Sequence, residues 1–145
     1  MPAVETGQAI RAAIYNRVTG DATMKSVFGQ SGTVYMYRVM APQDPAFPYL
    51  VDRVSFGADF LHGRHTYLLD LWDYYANPTR IDSAVDRLKQ LLHEWRFVTN
   101  DSEAHGLMQW FSGGFIPTDA EGVWHYATQW VVWIGAARDI TNIVG

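Results

Sequence analysis

Cysteine is absent from all 145 residues. That removes disulfides and thiolate–metal centres from consideration and suits a reducing compartment. Excess charge of one sign is also scarce. Lys and Arg number 11 against 15 Asp and Glu, for a net charge of -4. The basic residues form no stripe, so a surface that grips nucleic-acid phosphates is not expected. No apolar run reaches the length that crosses a bilayer, and the N-terminal MPAVETGQAI lacks both a basic n-region and an apolar h-region. The expectation is a soluble chain made and kept in a cytoplasm, with no membrane partner. GxSxG, P-loop and GxGxxG motifs are missing, so the common nucleophile and phosphate sites are not expected either. There is no internal repeat and no low-complexity segment.

What is present in excess is aromatic. Six Trp, eight Tyr and seven Phe are many for this length, and such residues are enriched in the cores of protein–protein interfaces. The length predicts one domain, residues 1–145, with 135–145 as a C-terminal tail of no clear period. A chain of this size buries roughly 70% of its unfolded surface, enough for a core without staples.

Hydrophobic periodicity places the elements. In residues 6–19, Ala9, Ile10, Ala13, Ile14, Arg17 and Val18 share one helical face, with Thr6 as N-cap and Gly20 after the end. Asp21 caps a short helical turn holding Met24, Val27 and Phe28. Residues 33–39 read as a strand. Pro42, Pro45 and Pro48 then stand three apart, either as a polyproline ligand for an SH3-like partner or as a stiff connector before a strand. Residues 47–73 read as two strands joined by a loop, 57–65, with Phe60 and Leu61 at its apolar tip. The second strand is apolar on both faces and is expected to be central. Asn77 and Pro78 start the clearest helix, whose stripe runs Ile81, Ala84, Val85, Leu88, Leu91, Leu92 and Trp95. Residues 96–105 read as a polar connector and 107–111 as a strand, with a bulge or bend expected at Gly113–Gly114. Residues 123–134 form the longest strand, about 40 Å if straight, so it bends or projects. Trp124, Tyr126, Thr128, Trp130, Val132 and Ile134 share one of its faces; His125, Gln129, Val131 and Trp133 lie on the other.

Chemistry-bearing residues are few. His62 and His65 have an H-x-x-H spacing without an evident third ligand, so neither a metal nor a cofactor is expected. Asp52, Asp70 and Asp73 fall on adjacent strands. Asp52 and Asp70 on one face would allow acid–base work; strand carboxylates paired with Arg38 or Arg53 are the structural alternative. His125, between Trp124 and Tyr126, reads as a half-buried packing residue.

The segments AIRAAIYNRV, FPYLV, TYLLDLWDYY, NPTRIDSAVDRLKQLLHEW and WHYATQWVVWI, in that order, resemble the tail-completion (tail-terminator, head–tail joining) proteins of long-tailed bacteriophages. The similarity runs from about Gln8 to Ile134. It implies an α+β domain with an antiparallel four- to five-stranded sheet and two main helices packed on one face. It further implies a non-enzymatic virion protein, assembled in the host cytoplasm. The family forms a hexameric ring where the tail tube meets the head connector, and DNA passes through its lumen without specific binding. A ring requires two different patches on each copy. The expected patches are the 57–65 loop region (Phe56, Asp59, Phe60, Leu61, Arg64) and the long strand (Trp124, Trp130, Trp133). The competing reading is a small α+β pocket domain that binds or isomerises an apolar ligand with an Asp/His pair as base.

Overall fold

The computed structural model describes residues 3–28, 32–55, 63–98 and 105–135. The order is α1 (Ala3–Thr19), α2 (Ala22–Phe28), β1 (Tyr35–Arg38), β2 (Tyr49–Ser55), β3 (Gly63–Tyr74), α3 (Thr79–Leu92), β4 (Trp95–Val98), β5 (His105–Ile116) and β6 (Val123–Gly135). The strands form one sheet in the order β1-β2-β3-β6-β5-β4. β1 runs parallel to β2, and every other pair is antiparallel. The expected antiparallel sheet of four to five strands with two main helices is therefore incorrect: the sheet is six-stranded and mixed, it curls into a half-barrel, and three helices accompany it.

Two local causes account for the difference. The α3 stripe was expected to run on to Trp95, but the helix stops at Leu92 and Glu94 takes a left-handed φ of 62°. That reversal sends Trp95 and Phe97 back into the sheet as β4, where their rings stack at 4.6 Å. The expected polar connector thus begins with an edge strand. The second cause lies in residues 39–48, which return the chain to the start of β2 so that β1 and β2 align in parallel, Tyr35 beside Tyr49 and Arg38 beside Asp52.

One face of the sheet meets the helices. Ile10, Ile14 and Val18 of α1, Met24 and Phe28 of α2, and Ile81, Leu88 and Leu92 of α3 form a single buried cluster with Leu50, Tyr67, Leu69, Leu71, Met108, Trp130 and Val132. Strand side chains alternate between faces, so these strand residues define the core face. Charged residues bind the layers together. Asp21 caps α2 by accepting from Met24 N–H at 2.9 Å and takes the Arg87 guanidinium of α3 through both oxygens. Arg17 Nε donates to the Leu91 carbonyl at 2.6 Å, joining α1 to the end of α3. α1 begins at Ala3, so Thr6 lies inside it rather than capping it. The N-cap of α3 is Pro78 rather than Asn77, which stands one residue earlier and accepts from the Thr79 N–H at 3.1 Å.

Candidate assembly surfaces

The opposite face of the sheet carries no helix among the described residues. Pairing aligns Tyr35, Tyr49, Trp72, His125 and Ile116 in one row across β1, β2, β3, β6 and β5. Trp72 and His125 stack at 3.8 Å with planes 11° apart, and Tyr49 stacks on Trp72 at 6.3 Å. Burial, with Tyr37 close by, pushes the Tyr49 phenol above its ordinary pKa. Beside this row Asp70 accepts from His125 Nε2 at 3.1 Å, and an Arg53 nitrogen lies 3.8 Å from the same carboxylate. Two open hollows flank the group, one of about 430 Å³ beneath residues 39–45 and one of about 280 Å³ beside Ser112–Ile116.

The two strand carboxylates expected on one face, Asp52 and Asp70, stand on opposite faces of the sheet. Asp52 faces the other way, fully buried on the core face, where it accepts from Arg11 Nε at 3.1 Å and Tyr67 Oη at 2.8 Å. Burial and the adjacent Asp52 charge hold the Tyr67 phenol well above its ordinary pKa, so it stays a donor. Asp52 and Asp70 therefore do not share a hollow. His125 has the stacked Trp72 and the hydrogen-bonded Asp70 as its neighbours. Asp73, the third strand carboxylate, is gripped by Arg80 at 2.8 and 2.6 Å. Among the described residues no three His, Asp or Glu side chains gather as a metal set; His65 is buried on the core face, and His62 lies outside the described residues.

The expected loop patch falls largely outside the described residues. Phe56, Asp59, Phe60 and Leu61 lie outside the described residues. Arg64 is exposed, its guanidinium 5.6 Å from the Phe111 ring centroid. Trp133 is half-buried on the helix-free face and donates to Gln109 Oε1 at 2.9 Å. Trp130 is fully buried, packing edge-on against Trp110 at 5.0 Å and donating to Thr128 Oγ1 at 2.7 Å. It serves the core. Trp124 is half-buried at the far end of β6, where its indole donates to the Tyr75 carbonyl at 3.2 Å.

Among the described residues the exposed large apolar side chains fall in three groups, with Val98 of β4 standing apart from them. Val39 and Met40 are 61% and 74% exposed just after β1. Tyr74 and Tyr75, 61% and 44% exposed, end β3 and line a hollow of about 660 Å³ with Ala76, Glu121, Gly122 and Trp124. Phe111, Phe115 and Ile116 stand on the part of β5 that β4 does not reach, since their pairing ends at Met108. The ladder slips between Trp110 and Ser112, so the bulge centres on Phe111 and not on the glycines. A strand edge left unpaired with apolar side chains is a pairing template. Near it Tyr126 has its phenol pKa raised by burial and by Asp82 and Asp86 of α3, giving this end an acidic flank. Sequence reasoning passed over Val39–Met40 and Tyr74–Tyr75. The available signal was an apolar pair directly before a proline-bearing loop in each case, VMAP and YYANP.

A chain from a solved structure described as "Virion of native gene transfer agent (GTA) particle" superposes on this chain with a TM-score of 0.69. The two chains share a fold. Alignment covers 88% of this chain and 96% of that one at 15% identity. The fold of the gene transfer agent chain is thus matched almost end to end, not as an insert within a larger domain. No protein-family model matches the sequence, and no curated protein does.

Proposed function

We propose that this chain is a non-enzymatic structural protein of a phage-like tailed particle, acting as a ring that ends the tail tube and joins it to the head. The observation that carries the reading is the end-to-end fold likeness to a chain of the gene transfer agent virion. The resemblance to tail-completion proteins in segment order points the same way. So does the surface: among the described residues several separate exposed apolar groups on one small domain suit contacts with copies and neighbours. A net charge of -4 suits a lumen through which DNA slides without being held. In this reading the tube protein and the head connector are the other partners.

Disrupting the gene in a host that makes the particles tests the proposal. The expected result is heads and tails accumulating unjoined, with joining restored by the wild-type chain. Intact, joined particles in the absence of the chain would overturn it.

A further inference from the structure

Two of the exposed apolar sites differ in build. Val39 and Met40 are the more exposed pair, on a tight turn at the edge of the hollow of about 430 Å³. Met40 N–H donates to the Arg38 carbonyl at 2.8 Å across Val39, whose φ of 70° makes this a γ-turn of the strained kind. A β-branched residue in that conformation, with its side chain in water, is held there without the reward of burial, and such strain clusters where a surface engages a ligand. The Tyr74–Tyr75–Trp124 site is recessed and preformed. Tyr75 N–H donates to the Gly122 carbonyl at 3.0 Å, Trp124 is tied to Tyr75, and Arg80 lies 4.5 Å from the Tyr75 ring centroid. Gly122 has a φ of 79°, and a Cβ there would approach the Tyr74 ring at 3.3 Å.

We infer that the Val39–Met40 knob of one copy seats in the Tyr74–Tyr75–Trp124 hollow of the next copy. The inference rests on the ring reading above and names its contact. Chemistry matches on both sides: a thioether packs well against aromatic rings, and a hollow of about 660 Å³ holds both knob side chains. Charge matches too. Arg38 beside the knob and Glu121 on the rim of the hollow are both exposed and make no ion pair among the described residues. Position makes the contact heterologous. Val39 N–H bonds the Asp52 carbonyl, Asp52 pairs with Leu69, and Tyr74 lies further along β3. About 17 Å of strand and two strand spacings therefore separate knob from hollow within one copy. A copy cannot fill its own hollow, and a head-to-tail contact of this kind builds a ring where the rotation between copies closes.

A chain without cysteine allows a clean test. Met40→Cys and Glu121→Cys chains are mixed under a mild oxidant, beside a control mixture of Met40→Cys with Asp86→Cys. In parallel, Arg38→Glu, Glu121→Arg and the double reversal are compared with wild type by native mass spectrometry, with circular dichroism checking the fold. The expected results are a disulfide between the first pair only, loss of the ring in each single reversal, and its return in the double. A wild type that forms rings while the first pair fails to cross-link and the single reversals keep the ring overturns this contact and leaves the ring reading standing. A wild type that is monomeric both in solution and in particles overturns both.

Discussion

Single residues decide how firmly the helices hold the sheet. Asp73 is almost completely buried and Arg80 is its charge partner, gripping it with two bonds. Removing one partner of such a pair leaves a charge stranded out of water. Arg80→Ala is expected to lower unfolding free energy by about 3 kcal/mol in urea titration, and it also removes the cation beside Tyr75. Tyr67→Phe takes one donor from buried Asp52 and leaves Arg11, so a smaller loss of about 1–2 kcal/mol is expected. Acid should loosen the α2–α3 contact. Hydrogen bonding to Arg87 holds the Asp21 carboxyl below its ordinary pKa. The unfolded chain therefore takes up this proton first, and the stability Asp21 contributes is complete above about pH 4 and lost as pH falls below it. Asp21→Asn should flatten that part of a stability-against-pH curve, and an unchanged curve would contradict the assignment.

Secondary elements show what could be read in advance and what could not. The α3 stripe was legible because its apolar residues recur at helical spacing, and all six that lie within the helix are buried. The central place of β3 was legible from apolar residues on both faces, and it sits between β2 and β6. β4 was not, because the left-handed turn before it falls on Glu94 rather than a glycine. The parallel pairing of β1 and β2 was hidden for a related reason. Parallel neighbours usually need a long crossover, most often helical, and residues 39–48 read only as a connector. Trp130 was misplaced on the surface because β6 carries tryptophan on both faces, so alternation could not say which face was inside. The β4–β5 pairing depends on Gly106, where a Cβ would lie 2.2 Å from the Phe97 ring. Gly106→Ala should therefore expel Phe97 from the core and lower the thermal midpoint, and adding Phe97→Leu should recover part of the loss. Equal midpoints for Gly106→Ala and wild type would show that β4 is not seated as described.

The described residues form a half-barrel with one face covered by helices and the other free of them, and exposed apolar groups stand around it. The site was less legible than the fold, since half of the expected contact residues lie outside the described residues and Trp130 proved to be core. The contact proposed above joins two unlike surfaces, an exposed turn and a recessed aromatic hollow, the kind of heterologous pairing a ring uses. Imaging decides this most directly: purified particles carrying a labelled copy of the chain, averaged by electron microscopy. The account predicts label in a ring with an open lumen at the head end of the tail. Label spread along the tube, on the head surface, or absent from the particle would contradict it.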